Sequence, residues 1–261
     1  MVDCLSRIRE ILKYRELLRN LVIRDIKVRY KRSLLGFFWV MLNPLLMMLI
    51  LNLVFSELFR VSTKDYTAYL LSGIILWNFF SQGTSTSVYS LIRNSNLIKK
   101  IYLPRAIFPF SVVISALINF IFSLLPLLII FFVNGTQLSY NLFLLPLAIL
   151  LVLIFSFGIS LIVSTLTVFF HDTIYIYEVL LLAWMYMTPI FYPESIVPER
   201  FSFIFHMNPL YYFLSIFRGA LYLETSAFAF KILAGSLFSA ASLLTGWLIY
   251  RRNRDRMVYY L

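Results

Sequence analysis

The chain has 261 residues, of which 61% are hydrophobic, 18% aromatic and only 13% charged, and its mean hydropathy is +0.85. A soluble domain of this length needs far more polar surface. Several apolar stretches exceed the roughly 20 residues with which an α-helix crosses a bilayer core. The composition therefore excludes a soluble globular protein and predicts an all-α polytopic membrane protein.

The net charge of +11 is distributed in a way that argues against a nucleic-acid-binding protein. The cations lie at the ends of apolar stretches, which is typical of cytoplasmic loops next to anionic lipid headgroups. Cys4 is the single cysteine, so no disulfide forms within the chain. Neither His171 nor His206 has a spacing typical of metal ligands. We therefore expect contact with membrane lipids, no nucleic-acid partner and no metal site.

Residues 1–33 form the first predicted element, a charged amphipathic helix. Val22 and Ile26 fall on an apolar arc of the helical wheel, whereas Lys13 and Lys27 gather on the opposite side. A helix of this kind lies in the membrane interface, where anionic lipid holds its cations. The alternative is a helix that packs on a cytoplasmic protein surface.

The remaining chain, 34–261, is predicted to form one transmembrane domain without internal repeats. The apolar stretch 142–192 is interrupted only by His171-Asp172. As a single helix it would be about 75 Å long, which no bilayer accommodates, so the chain must turn at that pair. Six spans are therefore predicted, at 34–56, 67–91, 106–133, 142–170, 173–192 and 227–250.

Cations in the short connections indicate the orientation of these spans. Ten Lys and Arg residues precede the first span, four lie in 92–105 and four in the tail 251–261, whereas 57–66 holds two, 134–141 none and 193–226 two. Positive residues are retained on the cytoplasmic side of a membrane. Both termini are therefore predicted to be cytoplasmic.

The connection 193–226 contains a further apolar run, 201–223, which Pro209 and Arg218 interrupt. A seventh span at this run would carry the four-arginine tail to the outside, against the charge rule. We therefore predict an external re-entrant or interfacial helical hairpin before the last span. Its backbone must be covered by protein or line a water-filled cavity.

Motifs for nucleotide or ion chemistry are missing from the sequence. None of the eight glycines is followed by lysine, so the chain has no P-loop, and we expect no cofactor in it. Glu178 is the one carboxylate inside a predicted span, but it lies near a span end. Pairing or snorkelling explains it better there than ion coupling does.

The stretch from Arg24 to Trp39 reads RDIKVRYKRSLLGFFW and is followed by Asn43-Pro44. A basic helix in this stretch reaches Gly36, whose backbone freedom suits a tight turn, before an aromatic-rich first span. The stretch resembles the N-terminal motif of type-2 ABC transporter permeases that export polysaccharide. These are the Wzm-like O-antigen, KpsM-like capsule and TagG-like teichoic acid permeases.

The resemblance extends over essentially the whole chain. The six-span plan, the basic connection between the second and third spans, and the short turn between the fourth and fifth are similar. So are the external hairpin and the residues at the exit of the fifth span, 187–192 with Asn208-Pro209. Each short motif alone is weak, but together they are fairly specific for this family.

The resemblance implies that the chain is the permease subunit of an ATP-driven exporter in the bacterial inner membrane. Such a permease moves a lipid-linked polysaccharide from the cytoplasmic side across the membrane. It acts as a homodimer with two copies of a separate nucleotide-binding subunit, which bind ATP and Mg. The permease itself is not an enzyme, in agreement with the missing P-loop.

The resemblance also implies a coupling segment at 92–104, where the ATPase subunit docks. Apolar residues surrounded by cations suit such a contact. A solvated loop that only obeys the positive-inside rule is the alternative. The candidate coupling residues are Arg93, Leu97, Ile98, Lys99, Lys100 and Ile101.

Substrate contacts are expected at two kinds of residue. A polyprenyl diphosphate carrier needs cations near the cytoplasmic interface, and aromatic rings can stack weakly and repeatedly on sugars along a channel. Ordinary headgroup anchoring and interfacial aromatic belts are the alternatives. The diphosphate candidates are Lys27, Arg29, Lys31 and Arg32 beside Gly36, and the channel candidates are Phe37, Trp39, Trp77, Trp184, Tyr186, Tyr211 and Tyr212.

Two other classes of function stay open at this stage. A type-2 permease that exports a drug or a lipid has the same six-span plan. A membrane-embedded transferase should instead show polar catalytic clusters at a membrane face, and the sequence has none.

Overall fold

The computed structural model of the chain describes residues 14–54, 66–101, 103–136, 138–222 and 228–261. These residues are mostly helical and contain no β-strand, which confirms the predicted all-α class. Their α-helices are α1 (Arg15–Arg29), α2 (Trp39–Asn52), α3 (Tyr66–Val88), α4 (Ser90–Arg93), α5 (Ser95–Lys100), α6 (Ile107–Asn134), α7 (Leu145–Phe169), α8 (Thr173–Met187), α9 (Ser202–Met207), α10 (Pro209–Leu221), α11 (Phe228–Asn253) and α12 (Met257–Tyr260).

Helix α1 covers the later part of the predicted amphipathic segment, whose residues 1–13 lie outside the described residues. The helix packs on α6, and its buried residues are Leu21 and Val22. The chain then turns, with Arg32 at φ +66° and Gly36 at φ +51°, both in the left-handed region. Glycine adopts that region without steric cost, and the Gly36 N–H donates to Ser33 Oγ at 3.1 Å.

Six helices overlap the six predicted spans, but only some of them have the length and apolarity of a span. In the described residues, three helices are long and apolar enough to cross a membrane: Ile107–Asn134, Tyr140–Phe169 and Phe228–Asn253. The apolar helices Gly36–Asn52 and Thr173–Met187 are shorter. Helix α3 has 23 residues but carries a row of polar side chains. The six-span topology therefore stays a prediction.

Helix α3 lies at the centre of the bundle, in contact with α2, α6, α7, α8 and α10. Leu70, Leu71 and Phe80 on α3 are completely buried. The Phe80 ring packs on Phe155 of α7 and Trp184 of α8, with centroid separations of 5.6 and 5.2 Å. In lipid, where apolar side chains gain little from leaving their surroundings, close packing of this kind stabilises the bundle.

The chain reverses direction between α7 and α8 at His171 and Asp172, where the sequence indicates a turn. Helix α7 also packs closely on α11 through small residues. Gly158 of α7 lies directly against Ser242 and Gly246 of α11. Such small residues let two helix backbones approach, as is common between membrane helices.

One end of the bundle collects the described N-terminal helix, the segment 92–104 and the C-terminal tail. Their side chains share a buried group, here named the basal cluster, and the Tyr250 hydroxyl accepts a hydrogen bond of 3.2 Å from the Ala106 N–H. The three segments that the charge pattern predicts on one side of the membrane therefore pack together at this end of the bundle. The basal cluster includes Leu21, Leu91, Ile98, Ala106, Ile107, Phe108, Tyr250 and Met257.

The opposite end carries α9 and α10, which follow a short irregular stretch after α8. Asn208 joins them: its Oδ1 caps α10 by accepting from the Leu210 N–H at 3.0 Å and also accepts from Trp184 Nε1 at 2.7 Å. The Asn208 amide donates to Thr188 Oγ1 at 2.9 Å. This one side chain therefore holds the helical pair to the end of α8. Residues 223–226, the end of the predicted hairpin, and residue 227, the start of the predicted last span, lie outside the described residues.

Candidate functional site

A cavity of about 500 Å³ opens where α1, α3, α4, α6 and α8 meet, near the basal cluster. Its walls carry both charge signs, and we name it the charged cavity. It contains one residue of the predicted diphosphate set, Arg29, and two residues of the predicted coupling segment, Arg93 and Asn94. The charged and amide residues that line it are Arg24, Asp25, Arg29, Arg93, Asn94 and Glu178.

Hydrogen bonds hold part of this lining in place. Arg24 donates to Asp25 Oδ1 through Nε at 3.1 Å and Nη2 at 2.9 Å, and its Nη1 donates to Asn94 Oδ1 at 2.9 Å. Asp25 Oδ2 is buried and has no hydrogen-bond partner in the described residues. Arg93 lies 5.2 Å from the centroid of the Tyr89 ring. Arg24 thus connects α1 directly to the start of the predicted coupling segment.

The predicted diphosphate residues lie at the end of α1 and in the turn after it. Lys27, Arg29, Lys31 and Arg32 are all exposed, as an interfacial ligand site requires. Only Arg29 of these four lines the charged cavity. The four cations therefore share the exposed surface around the end of α1, but Arg29 differs from the other three in facing the charged cavity.

The predicted coupling segment forms α4 and α5, with Asn94 between them. Ile98 is buried in the basal cluster and Leu97 packs partly against it. Lys99 and Lys100 are exposed, and so is Ile101. The apolar residues of the segment thus divide into two groups: Ile98 anchors the segment to its own chain, whereas Ile101 remains on the surface between cations.

A groove of about 250 Å³ lies beside the exposed face of α5. Lys99, Lys100 and Arg105 contribute its positive charge, and Val258 of α12 forms part of its wall. The tail of the chain therefore contributes to the same surface as the coupling segment.

The predicted channel aromatics do not form one group within the described chain. Phe37 packs between Tyr30 and Phe122, and Trp39 is 41% exposed. Trp77 contacts Phe80, near which Trp184 also lies.

The remaining candidate aromatics are near the hairpin end. Tyr186 is exposed, whereas Tyr211 and Tyr212 are buried. The Tyr211 hydroxyl bonds to Glu194 Oε2 at 3.1 Å, and the Tyr212 hydroxyl donates to the His206 carbonyl at 3.0 Å. Tyr211 and Tyr212 are therefore engaged within the chain.

A second cavity, of about 360 Å³, lies between α2, α3 and α6 and contains four carboxamide side chains. We name it the amide cavity. Sequence reasoning singled out only one of them, Asn43 in the Asn43-Pro44 motif. Asn78, Gln82 and Ser85 on α3 lie four and three residues apart, and this spacing is the signal that an apolar helix has a polar face. The residues that define it are Asn43, Asn78, Gln82 and Asn119, with Arg29 and Trp39 also in its lining.

Comparison with known proteins agrees with this architecture. The profile of the family described as ABC-2 type transporter matches residues 16–222. The O-antigen export system permease protein RfbA of Klebsiella pneumoniae is 36% identical over 196 residues, which are 75% of this chain and 76% of the relative. RfbA of Myxococcus xanthus is 29% identical over 250 residues, 95% of this chain and 96% of the relative.

A more distant relative covers a similar share of the chain. The polysialic acid transport protein KpsM of Escherichia coli is 24% identical over 245 residues, which are 91% of this chain and 93% of the relative. The matched range of the family profile runs from α1 to the end of α10 and includes both cavities. The chain therefore belongs to the ABC-2 type transporter family.

Proposed function

We propose that the chain is the permease subunit of an ATP-driven exporter that moves a lipid-linked polysaccharide across the bacterial inner membrane. The polysaccharide is of the O-antigen, capsule or teichoic acid type. The family match over residues 16–222 carries the proposal, because the relatives that cover most of the chain are named as O-antigen export permeases and a polysialic acid transport protein.

A separate ATPase subunit supplies the energy in this proposal. The chain contains no P-loop, so ATP and Mg bind to the partner, two copies of which attach to a permease dimer. The docking surface is the exposed face of α5 with Lys99, Lys100 and Ile101, beside the basic groove. A surface with an apolar residue inside a rim of cations favours an acidic, partly apolar partner.

The second copy of the chain is proposed to pack near α2 and α8. Within one copy, α8 buries only Tyr177 and Leu181. Large apolar residues such as Leu49 on α2 and Val179 and Leu180 on α8 are exposed. Faces of this kind are covered in a membrane by lipid or by another helix, and a dimer that separates there gives a lateral passage for a lipid-linked substrate.

Substrate access is proposed to begin at the basal end, which the charge pattern predicts to be cytoplasmic together with both termini. Lys27, Arg29, Lys31 and Arg32 lie beside the Gly36 turn, where a diphosphate at the leaflet surface meets them. Binding of ordinary anionic headgroups is the competing role for these cations. The glycan then passes along aromatic side chains contributed by both copies.

Deletion of the gene in its native host tests the proposal. We expect surface polysaccharide to disappear and lipid-linked polysaccharide to accumulate inside the cell, because synthesis continues without export. Staining of surface polysaccharide and extraction of lipid-linked glycan measure the two effects, and a plasmid copy of the gene is the control. Unchanged surface polysaccharide in the deletion strain, together with a changed drug or lipid tolerance, would contradict polysaccharide export.

A further inference from the structure

One face of α3 is polar along much of its length. Asn78, Gln82 and Ser85 on α3, and Tyr89 directly after its end, follow at intervals of four, three and four residues, which places them on one side of the helix. Asn78 and Gln82 line the amide cavity, whereas Ser85 and Tyr89 line the charged cavity. The two cavities therefore lie along a single polar face that runs from the basal end into the bundle.

Arg29 connects the two cavities, because its side chain lines both of them. The charged cavity holds cations and carboxylates, whereas Arg29 is the one charged residue among the described residues that line the amide cavity. From Ile107 at the basal end of α6, Asn119 lies about 18 Å into the bundle at 1.5 Å per residue. The charged side chain of the amide cavity, Arg29, thus lies at its opening towards the charged cavity, here called the mouth, and the neutral amides lie deeper in the bundle.

The amides of this cavity are only partly used by the chain itself. Asn119 Nδ2 donates to Gln82 Oε1 at 3.1 Å, but Asn119 Oδ1 is buried without a partner, and Asn119 is only 7% exposed. In the described part of the chain, the side chains of Asn43 and Asn78 form no hydrogen bond. Asn43 is exposed and Asn78 is half-buried, so both amides are open to a ligand. A network that served only to hold helices together would satisfy the buried Asn119 Oδ1.

The amide groups without a hydrogen-bond partner in the described chain suit a neutral ligand with many hydroxyls. Each carboxamide offers two donors and an acceptor with two lone pairs, and a sugar hydroxyl both donates and accepts. An ion would instead require a counter-charge at this depth. Trp39 adds an aromatic surface, and the volume of about 360 Å³ lies within the range of about 300 to 1,000 Å³ typical of ligand pockets.

Tyr30 extends the polar lining at the mouth of the amide cavity. Burial raises the pKa of the Tyr30 phenol, and Arg29 acts in the opposite direction to a lesser extent. The phenol stays protonated at neutral pH and can donate a hydrogen bond. Arg29 and Tyr30 together can therefore hold a phosphate oxygen next to the deeper amides.

We propose that the amide cavity binds the sugar residue next to the diphosphate of the lipid-linked glycan, while Arg29 contacts the diphosphate at the mouth. This inference rests on the proposed export function and adds to it a recognition site for the reducing-end sugar. The carrier is then recognised by its first sugar as well as by its charge. A bare polyprenyl diphosphate, which has no sugar to fill the cavity, binds more weakly.

Binding of two probes to the purified full chain with its ATPase partner in lipid nanodiscs tests the inference. The probes are undecaprenyl diphosphate that carries one N-acetylglucosamine and bare undecaprenyl diphosphate. For the unmodified protein we expect the sugar-bearing probe to bind roughly tenfold more tightly, which corresponds to about two net hydrogen bonds. The variant Asn43→Leu/Asn78→Leu should lose that preference and retain its affinity for the bare probe.

Two further variants, Asn119→Leu and Ser115→Ala, distinguish a loss of ligand contact from a loss of folding. Asn43 and Asn78 have no hydrogen-bond partner in the described chain to leave unsatisfied, so their replacement should not unfold the protein. Asn119→Leu repeats the test on α6. The control is Ser115→Ala, one turn earlier on α6, whose hydroxyl bonds to the Ser111 carbonyl and does not line the cavity; it should keep the full preference.

The outcomes distinguish this inference from the function on which it rests. Equal binding of both probes by the unmodified protein, or a preference that survives in both amide variants, overturns the sugar site and leaves the export function intact. Failure of the unmodified protein to bind either probe contradicts the lipid-linked substrate itself, and with it both proposals.

Discussion

Arg218 is a buried cation whose partners are three backbone carbonyls and the Ser72 hydroxyl. Its side chain donates to the carbonyls of Pro189 at 2.9 Å, Tyr69 at 2.9 Å and Ile190 at 3.3 Å. The guanidinium carbon also lies 3.5 Å from the centroid of the Tyr69 ring. A guanidinium has five N–H donors in one plane and can bond several acceptors in different directions at once. The ammonium group of lysine has only three donors and cannot form the same set of bonds. Arg218 thus joins α10 to the start of α3 and the end of α8.

Replacing Arg218 with leucine should destabilise the protein strongly. The buried Ile190 carbonyl would lose its Arg218 donor, at a cost of about 1–3 kcal/mol. The Pro189 carbonyl would lose one of two donors and keep the Tyr69 hydroxyl. A loss of this size lowers the melting temperature of a protein of this length by roughly 5 °C or more. Thermal unfolding in detergent measures the change.

Arg200→Leu is the matched control for this variant, because Arg200 is exposed and lies over the Phe201 ring. Its melting temperature should stay within about 1 °C of the unmodified protein, as is usual for surface substitutions. Equal melting temperatures for the two arginine variants would contradict the structural role of Arg218.

The effect of Arg218 on the apolar run could be predicted from the sequence, but its hydrogen-bond partners could not. A charge and Pro209 in an apolar run predicted that the run is not an ordinary span, and the structure has two short helices there. The acceptors of Arg218 come from residues near 69 and 190, more than a hundred and almost thirty positions away. No local pattern specifies such pairing, because it depends on how distant helix ends meet.

At the scale of elements, α7 and α11 approach so closely that small residues are required. A Cβ atom on Gly158 would collide with the backbone of Ser242, and one on Gly246 would collide with the Gly158 carbonyl. The Ser239 hydroxyl donates to the Leu151 carbonyl at 2.8 Å across the same contact. Close packing and hydrogen bonds therefore act together between these two helices.

Gly158→Ala should separate these helices and destabilise the protein by about 1–3 kcal/mol, the usual range for overpacking. Gly83→Ala provides the matched control, since its new Cβ would meet Ala116 Cβ at 3.5 Å, an ordinary contact. Thermal unfolding of the two purified variants measures the difference. A Gly158→Ala protein as stable as Gly83→Ala would show that the close approach is not required.

The segment 92–104 yields a prediction about energy coupling. Reversal of both charges in Lys99→Glu/Lys100→Glu should repel an acidic surface of the ATPase, so that assembly and substrate-stimulated ATP hydrolysis both fall by tenfold or more. Co-purification and phosphate release measure these two properties.

The matched control reverses two exposed cations of α1, Arg15→Glu/Arg19→Glu, which lie outside the proposed docking surface. It should assemble and hydrolyse ATP normally. If the Lys99→Glu/Lys100→Glu complex also behaves normally, the coupling role of this segment is wrong.

The helical elements themselves could be predicted well from hydropathy and charge. Apolar runs located α6, α7 and α11, and the pair His171-Asp172 located the turn before α8. The polar face of α3 was harder to recognise, because Asn78, Gln82 and Ser85 lower the average hydropathy without revealing which neighbours they face. The amide cavity needs α2, α3 and α6 at once, so no single window of sequence contains it.

At the scale of the whole molecule, the structure divides into two unlike ends. The basal end unites α1, α5 and α12 around Tyr250 and Met257, and the other end carries the α9–α10 pair. Cation counts predicted that the first, the coupling and the last segments share a side, and these segments do share one end of the bundle. The proposed dimer and the proposed ATPase partner involve surfaces of other chains, which neither one sequence nor one copy contains.

Reconstitution of the whole exporter tests the account most directly. The chain is purified with its ATPase partner, placed in proteoliposomes with lipid-linked polysaccharide in the outer leaflet on the ATPase side, and supplied with ATP. We predict ATP-dependent protection of the polysaccharide from an added glycosidase, lost in the Lys99→Glu/Lys100→Glu complex. Polysaccharide that remains equally accessible with and without ATP in the unmodified complex would contradict the proposed export function.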